Sequence, residues 1–194
     1  VTWFFVWIAA AGGAWELVQA GPPATVEKRA HGDGFYEVRV STQTEVAGEW
    51  IADAYWNERT SSLKTQKKYE VLSRTASEKV AYTQLHLPVV KDRDYSIRIT
   101  RYVDPAAGLF QFTGRCISDM GPPPNEAHIR VNHCSAQLTI EPGADGRTII
   151  TYVAFANPEG ALPKWIVNAV AAKAVIEVVE KLIEQGRERA NARL

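Results

Sequence analysis

Apolar positions near the C-terminus follow a helical period from Trp165 to Leu182, but in the first half they do not stay on one face. At roughly 100° per residue, the apolar side chains from Trp165 to Val170 point in nearly every direction, more than a solvent-facing amphipathic helix carries. From Lys173 onward, Lys173, Glu177, Glu180, Lys181 and Glu184 gather on one side and leave a broad apolar arc through Ala171, Ala174, Val175, Val178, Val179 and Leu182. The spacing predicts a helix from Leu162 or Pro163 to Gln185, with proline in the first turn and Gly160 at the entry.

Upstream, the period changes to two. Tyr36, Val38 and Val40 alternate with Glu37, Arg39 and Ser41, the pattern of a half-buried strand. "GEWIADAYWNE" has its apolar residues at helical spacing and predicts a short helix. "KKYEVLSRT", "KVAYTQLHL", "DYSIRITRYV", "GLFQFTGRCIS", "IRVNHCSAQLTIEP" and "RTIITYVAFA" are of strand length and separated by Gly, Pro, Asp or Asn. The expectation is an antiparallel meander of six to seven strands. One long apolar helix and one such sheet bury each other most simply if the sheet curls around the helix. Ala169, Ala171, Ala172 and Ala174 then either leave space beside the helix or let the sheet approach closely; periodicity does not separate these.

A chain of 194 residues suits one domain with a sizeable core. Zero formal net charge removes the electrostatic footprint of a nucleic-acid binder. Cys116 and Cys134 either bridge, in an oxidising compartment, or pack as reduced thiols; the second is the preferred reading. Residues 1–14 are apolar but fall short of the roughly 20 needed to span a bilayer. They read as a packed helix or a signal-like segment ahead of a single domain at 15–194. The first reading agrees with a cytoplasmic location and the second with the cell envelope.

Catalytic patterns are sparse. There is no Gly-x-Ser-x-Gly elbow, phosphate-cradling loop or metal-ligand spacing. His133 and Cys134 are adjacent on a strand and so face opposite sides, while His86 and His128 stand singly near strand or loop ends. No catalytic residue, metal or cofactor is assigned.

Several segments carry a resemblance. "NPEGALPKWIVN" (Asn157 to Asn168) resembles the D-P-x-G-x-L-P-x-W/S-x-x-N signature before the last helix of START (StAR-related lipid transfer) domains, with Asn157 in place of the common Asp. "DRDYSIRI" (Asp92 to Ile99), "HIRVNHCSAQLTIEPGADGRTIITY" and "YWNE" are similar to further family segments, in the right order from about Trp15 onward. The resemblance, to a bacterial-type member, implies an α+β helix-grip fold: a curved antiparallel sheet around the C-terminal helix and an apolar tunnel holding one lipid, a sterol or a phospholipid. It implies a monomer that meets membranes transiently, with a non-enzymatic role in transfer or sensing; the alternative is a polyketide cyclase/aromatase-like or other small-molecule enzyme in the same cavity. It also implies a ligand site of Arg98, Gln84, Tyr82, Phe112, Val167, Ala171, Ala174 and Val178, in which Arg98 meets the head group and Gln84 replaces the usual acid. The gate is expected in the 102–110 loop, at Asp104, Pro105, Gly108 and Leu109, together with the helix. Strand alternation argues the other way for Arg98, because Tyr95, Ile97 and Ile99 share the face opposite to it.

Overall fold

A computed structural model describes residues 13–57, 64–87 and 90–193. Apart from Gly13 and Ala14, the expectation for the N-terminal apolar segment lies outside the described residues. Strands β1 (Glu16–Gln19), β2 (Thr25–Ala30) and β3 (Tyr36–Thr44) precede helix α1 (Gly48–Asn57). Strands β4 (Gln66–Arg74), β5 (Glu78–Leu85), β6 (Asp92–Asp104) and β7 (Leu109–Ile117) form a meander, followed by β8 (His128–Arg130), β9 (His133–Pro142), β10 (Thr148–Asn157) and helix α2 (Lys164–Asn191). All ten strands form one sheet in the order β1-β2-β3-β10-β9-β7-β6-β5-β4, with β8 pairing β6.

This differs from a simple six- or seven-strand meander. The short β1 and β2 lie in a stretch whose polar residues hide the alternation. Val131 and Asn132 break the expected long strand into β8 and β9, and β8 runs parallel to β6 over Asp92–Asp94. Pairing of β3 with β10 joins the N-terminal strands to the end of the meander.

Alternation on β3 points Val38 and Val40 towards α2, where both are buried, and leaves Arg39 on the outside in a two-pronged ion pair with Glu27 at 2.6 Å. The inward row continues through Ile150, Ile140 and Phe110, and through Tyr152, Leu138 and Phe112 on the same three strands. Complete burial of an Ile, Leu or Phe side chain is worth about 1.5–3 kcal/mol, so these rows are the main apolar contribution to the fold. Opposite them α2 presents Val175, Val179, Leu182 and Gly186, an i, i+4, i+7, i+11 stripe.

The packed stripe does not extend to the start of α2. Trp165 is 73 % exposed, Val170 56 % and Ile166 38 %, so the apolar residues of the first half emerge from the domain rather than being enclosed by it. That half is tethered by polar contacts instead. The Asn168 side chain accepts from the Tyr36 N–H at 3.0 Å and donates to the Gly34 carbonyl at 3.3 Å, and the Lys164 ammonium donates to the Asp33 carbonyl at 2.5 Å. The helix also runs on past the expected Gln185 to Asn191.

The second half of α2 is pinned against α1 through a glycine. A Cβ on Gly186 would lie 2.9 Å from Ile51 Cγ1 and 3.2 Å from the Ile51 backbone N and Cα. Gly186→Ala improves helix propensity by up to about 1 kcal/mol, but the helices must separate to admit the methyl. The expected outcome in urea unfolding is a net loss of about 1–2 kcal/mol.

Candidate functional site

Alpha helix α2 stands on α1, β3 and β10, and its flanks differ. Ile176, Glu180, Ile183 and Arg187 follow one another at helical spacing on one side and border, with Pro23, Thr42 and Thr44, a cleft of about 210 Å³. Val167, Ala171, Ala174 and Val178 share the opposite flank, across the packed stripe. Because the first flank borders β3 and the segment before β2, the second is directed the other way along the sheet, towards β4–β7.

Cross-strand register identifies the sheet surface beyond that flank. Tyr69 pairs with Thr83 and Thr83 with Tyr95; Val71 with Ala81 and Ala81 with Ile97; Lys79 with Ile99. Ile97 and Ile99 belong to the α2-facing core, so all of these side chains point inward. Tyr69, Tyr95, Ile97 and Tyr152 remain only half-buried although they lie on the concave side, which marks the wall of a hollow between β4–β7 and α2. Phe112 is fully buried in the core beside it, with Tyr55 packed against its ring at 4.8 Å between centroids.

The hollow is aromatic and uncharged on most of its wall. Burial pushes the Tyr69 phenol up to about 12, and burial likewise raises Tyr55, Tyr95 and Tyr152, so all four are neutral hydrogen-bond donors at ordinary pH. Lys79 is 1 % exposed and has no carboxylate partner; its ammonium donates to the Tyr55 and Trp56 carbonyls at 2.9 and 3.0 Å, closing the C-terminal end of α1. Desolvation lowers its pKa to about 8. The inward positions of β3–β7, β9 and β10 carry no carboxylate and no imidazole.

Three of the expected site residues fall on the other side of the sheet. Arg98 pairs with Val80 and Arg115, and its guanidinium reaches Glu78 at 3.6 Å and Asp119 at 3.4 Å on the outer surface. Tyr82 and Gln84 share that face: the Gln84 amide donates to the Tyr82 hydroxyl at 2.9 Å, and that hydroxyl donates to Asp94 at 2.8 Å. The expectation of a cavity arginine is therefore corrected by the two-residue period of β6, with Ile97 and Ile99 directed inward. The expected gate is also differently placed. Asp104 accepts from the Ala106 and Ala107 N–H groups at 3.1 and 3.2 Å, so Asp104, Pro105, Gly108 and Leu109 form a self-bonded hairpin turn. It sits near Pro142, at the end of the sheet where Phe110 approaches Gly48 of α1, away from the exposed start of α2.

The outer face has its own buried polar centre. Asp94 is held by Arg130 through two contacts of 2.9 Å, and Arg130 also donates to the Pro122 carbonyl at 2.9 Å. Arg93 donates to the carbonyls of Lys91, Pro158 and Glu159, securing the turn that enters α2. The segment that brings Arg130 to Asp94 is closed by a disulfide between Cys116 and Cys134, whose Cα atoms are 5.1 Å apart. The reduced-thiol reading is thereby corrected. Arg115 opposes Ser135, so the next residues outward on the two strands, Cys116 and Cys134, meet on the concave side. Closing this 18-residue separation removes chain entropy worth about 3 kcal/mol from the unfolded state.

A START domain family model matches residues 35–191. The chain belongs to the START domain family. Among curated protein sequences none matches it. Its fold is that of a StAR-related lipid transfer protein fragment from Xanthomonas axonopodis, 20 % identical, with a TM-score of 0.79 over 90 % of this chain and 99 % of that one. Human STARD10 is 18 % identical, with a TM-score of 0.80 over 92 % of this START domain and 75 % of that chain. The Zhui aromatase/cyclase from Streptomyces sp. R1128 is more distant, 11 % identical with a TM-score of 0.53 over 79 % and 94 %. The helix-grip architecture of the family, a curved antiparallel sheet against a long C-terminal helix, is the one described above.

Asp94 supplies a stability test. Desolvation raises its pKa, but the hydrogen bonds from Arg130 and Tyr82 outweigh this and hold it below the ordinary 3.8. A depressed carboxyl contributes stability that is present above the unfolded value and is lost as pH falls through the folded one. Asp94→Ala leaves Arg130 largely buried without its counter-charge, and a loss of about 3 kcal/mol is expected at pH 7. Urea unfolding from pH 7 down to pH 3 checks both points: the difference between parent and variant shrinks only below about pH 4.

Proposed function

We propose that this START domain binds a single hydrophobic ligand, of sterol or phospholipid type, between α2 and the inward face of β4–β7, and transfers or senses it without chemical change. The half-buried aromatic wall of Tyr69, Tyr95 and Tyr152 carries the reading, because inward surface of this kind is costly to leave in contact with water alone. Val167, Ala171, Ala174 and Val178 are the apolar contacts of the ligand tail in this proposal, whereas Phe112, expected among them, is fully buried behind Tyr55 and only backs the wall. The absence of inward carboxylates and imidazoles supports a binding role over a cyclase-like one, since general acid–base chemistry needs such groups within reach of the ligand. Zero net charge supports the absence of a nucleic-acid partner, and the domain is taken to act as a monomer.

Exposed Trp165, Ile166 and Val170, with Lys164 and Lys173 beside them, support transient membrane contact through the first half of α2. This half is tied to the domain mainly through Asn168 and Lys164, so we assign it, rather than the 102–110 turn, the opening movement. The disulfide supports an oxidising compartment, and with it the cell envelope over the cytoplasm.

Transfer of a fluorescent sterol or phospholipid between vesicles tests the proposal. Ala174→Trp is expected to abolish uptake with thermal unfolding little changed, because the indole fills the space beside the helix. Trp165→Ser is expected to slow transfer severalfold and to leave binding in detergent-free solution intact. A parent protein without affinity for either lipid class, or an Ala174→Trp variant that transfers normally, contradicts it.

A further inference from the structure

Four tyrosines from four separate elements converge on the concave side: Tyr55 from α1, Tyr69 from β4, Tyr95 from β6 and Tyr152 from β10. Register places Tyr69 and Tyr95 on either side of Thr83, and Tyr55 packs at 4.8 Å on Phe112, which stands in one cross-strand row with Leu138 and Tyr152. Tyr95 lies directly opposite Thr83 on the neighbouring strand. The hydroxyls of Tyr55, Tyr69 and Tyr152 make no hydrogen bond with any described residue. Phenolic O–H groups that face an apolar hollow without an acceptor among the described residues are left to bond what occupies it, and three of the four are in that position.

The surrounding charges limit which acceptor fits. A quaternary ammonium could be attracted by aromatic faces, but those nearest are already taken. The Lys79 ammonium lies 5.5 Å from the Tyr55 ring centroid and 5.3 Å from that of Trp56, and the Arg101 guanidinium 4.8 Å from that of Trp56. Among the described residues, no inward carboxylate on the strands offsets these two cations.

We propose that the phenol cluster of Tyr55, Tyr69, Tyr95 and Tyr152 is the polar recognition site of the hollow, receiving a non-cationic oxygen acceptor at the buried end of the ligand. A sterol-type hydroxyl and a fatty-acid carboxylate both supply such an oxygen; a choline head group places a cation beside Lys79 and Arg101. The assignment rests on the lipid-binding reading and narrows its ligand class. It also replaces Arg98 as the anchor, since that side chain is on the outer face.

Tyrosine-to-phenylalanine substitutions remove the donor and keep the ring. Binding to the full chain is measured with four probes: the fluorescent fatty acid cis-parinaric acid, the fluorescent sterol dehydroergosterol, pyrene-labelled phosphatidylcholine, and the headless hydrocarbon diphenylhexatriene. The expected result is tight binding of the fatty acid or the sterol, whichever is preferred identifying the oxygen. Tyr95→Phe and Tyr152→Phe should each weaken that probe by about two- to tenfold and the double variant by more, with diphenylhexatriene unaffected. Tyr82→Phe, which removes a hydroxyl on the outer face, should leave the affinity of all four unchanged. Equal affinity of the parent and the double variant for the oxygen-headed probe overturns the proposal, as does a preference for phosphatidylcholine. A parent protein that binds none of the four overturns the underlying lipid-binding reading instead.

Discussion

One long helix and the short α1 have to cover the concave face of a ten-stranded sheet. Strands are spaced about 4.8 Å apart, whereas a helix with its side chains is only about 10–12 Å across. Curling of the sheet reduces the mismatch but does not remove it. The packed stripe of α2, from Val175 to Gly186, is directed at β3, β10 and α1, and beyond Ile97 and Ile99, which join the core, the inward side chains of β4–β6 are left uncovered by it. The hollow, its aromatic wall and the exposure of the helix's first half all follow from this shortage of covering surface.

Polar groups are sorted accordingly. On the outer face the charged demands are met inside the protein, Asp94 by Arg130 and Tyr82 and Tyr82 by Gln84, while Ser96 Oγ and Arg98 Nε are buried without a hydrogen-bond partner among the described residues. The disulfide keeps the segment carrying Arg130 short and fixed over that face. On the inner face Lys79 is committed to the end of α1, while three phenols have no acceptor among the described residues. An ion-paired network on one side and open phenols on the other separate scaffold from binding surface.

Much of this architecture was legible in the sequence. The two helices and the strands from β3 onward follow the hydrophobic period, and the segment around Asn157 to Asn168 carried the family resemblance. The role of Asn168, tying α2 to the start of β3, is a contact between residues 132 apart and could not be read from spacing. Arg98 is the instructive case: alternation in "YSIRITRY" placed it outside, and the family pattern drew it inward against that signal. Tyr69, Tyr95 and Tyr152 were available by the same alternation but are unremarkable on separate strands; only the curl of the sheet brings them together. The disulfide needed the β7–β9 register, which neither cysteine's neighbours encode.

The central claim is that the ligand lies between the Val167–Val178 flank of α2 and the inward face of β4–β6. Photocrosslinking with a lipid bearing a diazirine in its acyl chain, followed by peptide mapping, tests it most directly. The account predicts adducts on β4–β6 at Tyr69, Tyr95 or Ile97 and on α2 between Val167 and Val178. Adducts confined to the outer face, or to the opposite flank at Ile176, Ile183 and Arg187, would contradict it.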